Sequence, residues 1–152
     1  MLRFVLLAAI GTGPSWPLMC KAQAQPIDAL VRIDLAMQSI SEHTHFVKTI
    51  MPDGAMTGQV IEGARPPAPM RRAVRLARGE INAMLEKLAA WEQGGLLQIC
   101  PADTQGTNRL SVTIQYRERP PLAFVCTDAG TKGNRQLEEL LGGLMTWVVA
   151  GF

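Results

Sequence analysis

The chain has 152 residues, 15 Lys and Arg against 13 Asp and Glu, and a formal net charge of +2. That length suits one domain, and 47% hydrophobic residues suffice for a packed core. So small a charge gives no support for nucleic-acid binding or for broad attraction to a membrane surface.

The N-terminus reads as an export signal. Met1-Leu2-Arg3 gives a short positive start, Phe4 to Ile10 is an unbroken apolar run, and Ala22-Gln23-Ala24 sets small residues where a signal peptidase reads them. Residues 1–24 are therefore expected to be a cleaved secretory signal peptide. Residues 25–152 are expected to form a single domain that works in the periplasm or outside the cell. A retained anchor needs about 20 apolar residues, whereas Gly11, Gly13, Pro14 and Pro17 interrupt this run. Lipidation at Cys20 is disfavoured by the bulky Met19 before it.

Cleavage after Ala24 removes Arg3 and Lys21, so that 13 basic residues face 13 acidic ones and the mature chain is formally neutral. Neutrality argues against nucleic acid as a partner. Cys20 also leaves, and Cys100 and Cys126 are an even pair in an oxidising compartment, where a disulfide between them is expected. In the chain-entropy account such a loop adds about 3.5 kcal/mol of stability.

Along the mature chain the hydrophobic period first indicates strands. Val31, Ile33, Leu35 and Met37 alternate with Arg32, Asp34 and Gln38, which predicts a half-buried strand. A second strand is expected over about residues 43–51 and a third over 55–62, joined by Pro52-Asp53-Gly54 as a hairpin turn. Gly63 to Pro69 holds three prolines and reads as a stiff connector. Over residues 70–92 the period becomes helical, with Val74, Ala77, Ile81, Met84, Leu85, Leu88 and Trp91 on one stripe and Gly94-Gly95 as the stop. Gly79 inside that run allows a second reading, in which the helix begins near Gly79 and the arginine segment is a separate turn.

Leu96 to Cys100 is a short strand candidate and Pro101 to Asn108 a loop. Leu110, Val112, Ile114 and Tyr116 pair by pattern with Leu122, Phe124 and Cys126 as the clearest hairpin. A final helix from Asn134 carries Leu137, Leu140, Leu141, Leu144, Met145 and Val148 on one stripe. Its uncharged end, Leu140 to Phe152, is too short to span a membrane. The expected fold is α+β: an antiparallel sheet of five or six strands with two helices on one face, in the order three strands, helix, three strands, helix.

Catalytic motifs are missing: there is no phosphate loop, no Gly-x-Ser-x-Gly elbow, no His-Glu-x-x-His helix and no Cys-x-x-Cys knuckle. His43 and His45, the only histidines, would face one way on a regular strand, but a zinc site needs a third ligand, so no metal or other cofactor is expected. Ser41 lies near His43 in sequence only. Arg71, Arg75 and Arg78 would share one flank of a helix and form an anion or partner patch. Arg117 and Arg119 mark a hairpin tip that a partner cleft would accept. Asp128, Glu138 and Glu139 are the available carboxylates, but adjacent helical residues do not face each other.

These features favour a small exported binding protein of the cell envelope, an inhibitor or immunity-type partner being one concrete form, over an enzyme. The alternatives are a metal-dependent hydrolase using His43 and His45 and a carrier of a small molecule or lipid.

Overall fold

Alternating apolar and polar residues drive several segments of the chain into strands that bury one face. The computed structural model describes residues 26–95, 108–128 and 133–152. A 3-10 turn at Pro26–Ala29 leads into β1 (Leu30–Ser39), β2 (Thr44–Ile50), β3 (Met56–Glu62) and a two-residue β4 (Ala68–Pro69). Helix α1 (Arg78–Gln93), strands β5 (Asn108–Tyr116) and β6 (Leu122–Thr127), and helix α2 (Arg135–Val149) follow. The strands form one antiparallel sheet ordered β4-β3-β2-β1-β5-β6, so the molecule has the expected α+β class.

Register concentrates the apolar residues on one face. Ile33 pairs with Ile50 and Ile114, and Met37 pairs with Phe46 and Leu110. Val112 faces Phe124, and Leu110 faces Cys126. Onto this face α1 places Ile81, Leu85 and Leu88, and α2 places Leu137, Leu140, Leu141, Leu144 and Val148, all in one buried core. Trp147, outside the expected stripe, is buried with them. Asn134 starts α2 by accepting a hydrogen bond from the Leu137 N–H at 3.2 Å, a side-chain cap for an otherwise orphaned donor.

Four local expectations are corrected. Val31 points outward at 37% exposure while Leu30 is buried, because a bulge between Leu30 and Arg32 in the β1–β5 ladder inverts the alternation there. The proline-rich connector ends in β4, where Ala68 and Pro69 pair with Val60 and Gln59; an edge strand tolerates a proline that cannot donate. Four strands, not three, therefore precede α1.

The third correction concerns residues 70–77, which are irregular, with a bend at 71–72 and a single bridge from Arg75 to Ala55, and not helical. Their backbone hydrogen bonds are taken by other segments: Arg71 and Arg72 donate to the Gly151 carbonyl at 2.8 and 3.1 Å, Leu76 donates to Gly54, and Val74 accepts from Met56. The helix begins at Arg78, where Glu80 reaches back to the Ala77 N–H at 2.8 Å, matching the second reading in its helix start, though the arginine segment before it is no separate turn. The fourth is His43, which lies in the β1–β2 turn with a positive φ of 53° and so does not share a strand face with His45. The strand expected at Leu96–Cys100, residues 101–107 of the expected loop, and residues 1–24 lie outside the described residues.

Candidate binding cleft at the sheet edge

A cleft arises where α2 runs out before the sheet does. Val60 on β3 pairs with Phe46 on β2, and both point to the face that the helices cover elsewhere. Beyond Val149 the chain turns back over β2, so Phe152 meets Phe46 edge to face with ring centroids 5.4 Å apart. A cleft of about 440 Å³ is left between this aromatic floor and the lip formed by Arg65, Pro66, Ala68, Pro69 and Arg71, with Glu62 at its side. Two smaller depressions lie beside Met70 and between Trp91 and Leu140.

The floor is held by a buried lysine. Strand period puts Lys48 in the same inward row as Phe46 and Ile50, opposite Leu35 on one side and Gly58 on the other. Its side chain has 0% exposure; the Nζ donates to the Ala150 carbonyl and sits 4.3 Å above the Phe152 ring. Gly58 admits this stem, since a Cβ there would meet the Lys48 Cε at 3.2 Å and the Val47 carbonyl at 2.4 Å. Burial lowers the Lys48 pKa to about 8. Gly151 bends the tail at φ +85°, close to Met70 and Val74, and its carbonyl takes the two arginine N–H groups. The tail is thus fixed at Ala150, Gly151 and Phe152 in succession.

Charge around the cleft is unequal. Arg65 pairs with Glu62 at 2.9 Å, whereas Arg71 forms no ion pair among the described residues. The charged side chains on the lining are two cations, Arg65 and Arg71, and one anion, Glu62.

The expected arginine patch is dispersed. Arg75 pairs with Asp53 in the β2–β3 turn at 3.2 Å, Arg78 pairs with Asp28 before β1, and Arg71 alone faces the cleft. With the segment not helical, the helical spacing that grouped them does not apply. At the other hairpin tip Arg119 stacks on Tyr116, 4.0 Å from its ring, and reaches Glu92 at 3.4 Å, while the Arg117 N–H donates to Ala29.

The remaining candidates are also separated. Asp128 accepts from Asn108, Glu138 accepts from the Gly133 N–H, and Glu139 pairs with Arg135. Among the described residues no group of three or more His, Cys, Asp or Glu is placed to hold a metal, and no helix is long and apolar enough to cross a membrane. Cys126 is fully buried on β6; Cys100 lies outside the described residues.

Lys48, Phe46, Val60 and Phe152 are among the site residues that sequence reasoning missed. The signal was the row Phe46, Lys48, Ile50: a lysine two residues from an apolar neighbour on either side of a strand stands on the core face. Comparison with models of known protein families and with curated proteins finds no match to this chain.

Proposed function

We propose that the chain is a small exported binding protein of the cell envelope and that its partner, another envelope or secreted protein, docks in the cleft beside β3 and β4. The observation that carries this reading is the cleft itself: an apolar floor held by Lys48, a proline lip, and one unmatched arginine. Interface anchors take this form, an apolar side chain entering a pocket beside a placed cation. The Arg119 tip serves the partner less well, because its guanidinium is already engaged by Tyr116 and Glu92.

Export by the first 24 residues and a Cys100–Cys126 disulfide belong to the same proposal. Cys126 pairs with Leu110 near the start of β5, and Cys100 lies eight residues before that strand, within reach of an extended chain. The disulfide would then tie the β5–β6 hairpin to the segment that follows α1.

The test is retention of envelope proteins on immobilised mature chain, wild type against Val60→Arg, which fills the cleft with a third cation. A partner held by wild type and lost from the folded variant is the expected result. Equal retention by both removes the cleft as the docking site. Protein recovered from the periplasm should begin at Gln25; protein found only in the cytosol with Met1 intact removes the export reading.

A further inference from the structure

Resting on that reading, we propose that the lip of the cleft is itself the recognised element: residues 65–71 form a polyproline II ridge that docks against an aromatic-lined groove of the partner. The stretch runs Arg65-Pro66-Pro67-Ala68-Pro69-Met70-Arg71, in which Pro66, Pro69 and Arg71 keep the spacing Pro-x-x-Pro-x-Arg. Segments of this kind lay their prolines between aromatic rings. An arginine two residues beyond the second proline suits a carboxylate at the end of the groove.

Three observations carry the ridge. Its backbone is confined before any partner arrives, since proline fixes φ at Pro66, Pro67 and Pro69, and Arg65, Pro66 and Ala68 each precede a proline and are held extended. It also repeats with a period of three. Arg65, Pro66, Ala68, Pro69 and Arg71 border the cleft whereas Pro67 and Met70 do not, which is the period of polyproline II and not the alternation of a regular strand. The ridge is exposed from Arg65 to Pro69 and again at Arg71, so the proline rings are open to a partner.

The ridge is anchored along its length. The Arg65 N–H donates to the Glu62 carbonyl at 3.0 Å, and Ala68 and Pro69 pair with Val60 and Gln59. Beyond them the Met70 N–H donates to Gly58 at 3.2 Å and the Arg71 N–H to Gly151 at 2.8 Å. Freedom that a loose proline segment gives up on binding has here been given up on folding. Selection of an aromatic partner comes from the ring surfaces of Pro66 and Pro69, whatever the charge balance beside Lys48 and Phe152.

The probe is an isolated SH3 domain that selects Pro-x-x-Pro-x-Arg ligands, titrated by calorimetry into the full mature protein. Wild type is expected to bind it. Arg71→Gln should weaken binding at least about tenfold, the loss of one charge-assisted pair. Pro66→Ala should weaken it several-fold, while Pro67→Ala and Arg119→Gln should leave it unchanged. Absence of binding by wild type overturns the inference, and so does an equal loss from Pro66→Ala and Pro67→Ala, which would mean that spacing is not read. A dimer in sedimentation that Pro66→Ala dissociates would assign the ridge to a second copy and overturns it too. If the SH3 domain does not bind while Val60→Arg still abolishes partner retention, the ridge is wrong and the binding reading stands. If Val60→Arg retains the partner, the docking place falls and the inference with it.

Discussion

The Nζ of Lys48, in the middle of β2, caps the C-terminal end of α2 by donating to the carbonyl of Ala150, 102 residues away. A cation at this end of a helix satisfies an orphan carbonyl and complements the macrodipole. Burial nevertheless disfavours its charge, and its pKa falls to about 8. Between pH 8 and the ordinary lysine value near 10.5, the unfolded chain holds a proton that the folded chain has lost, so this group makes stability rise with pH. Tyr116, whose half-buried phenol is held above the ordinary value by burial, acts in the opposite direction above pH 10. The expected outcome is a stability difference between wild type and Lys48→Met that changes by up to about 1.4 kcal/mol per pH unit from pH 8 to 10. Urea titrations across that range measure it; parallel profiles would show that Lys48 does not titrate there.

Glycine substitutions should have opposite signs at two positions. Gly54 closes the β2–β3 turn at φ +84°, and a Cβ would lie 2.0 Å from the Leu76 carbonyl oxygen. Gly54→Ala is expected to lose about 2–3 kcal/mol, through backbone strain and displacement of residues 74–76. Gly142, exposed in α2 with nothing within 4 Å of where a Cβ would stand, should gain about 0.5–1 kcal/mol as alanine. Denaturant midpoints at unchanged slope report both.

Removing the α2 cap tests how firmly that helix is seated. Asn134→Ala leaves the Leu137 N–H without its acceptor and should lower stability by about 1 kcal/mol, with Asn134→Asp restoring most of it. A thermal shift that is the same for both variants would assign the effect to something other than the cap.

The proposed disulfide has its own readout. Mature protein unfolded without reductant should show no reactive thiol, and reduction should lower stability by about 3.5 kcal/mol. Two thiols per chain before reduction would exclude the pairing.

Legibility in the sequence followed the locality of the forces. The β5–β6 hairpin was readable because its alternation runs for three pairs, Leu110 to Cys126, Val112 to Phe124 and Ile114 to Leu122. The α2 stripe was readable because Leu137, Leu140, Leu141 and Leu144 repeat at the helical period. Residues 70–77 carry apolar groups at a spacing that also fits a helix, yet their N–H and C=O groups find partners in Gly151, Gly54 and Met56. No local pattern announces such partners.

The sequence by itself determined the α+β class, the two apolar stripes and the hairpin turns, since period, capping and turn residues act between neighbours. Tertiary structure alone decided the cleft and its lysine. Phe46, Val60, Arg71 and Phe152 meet only because strand pairing and the returning tail join distant segments. Lys48 is buried only because register places it in the row that α2 covers.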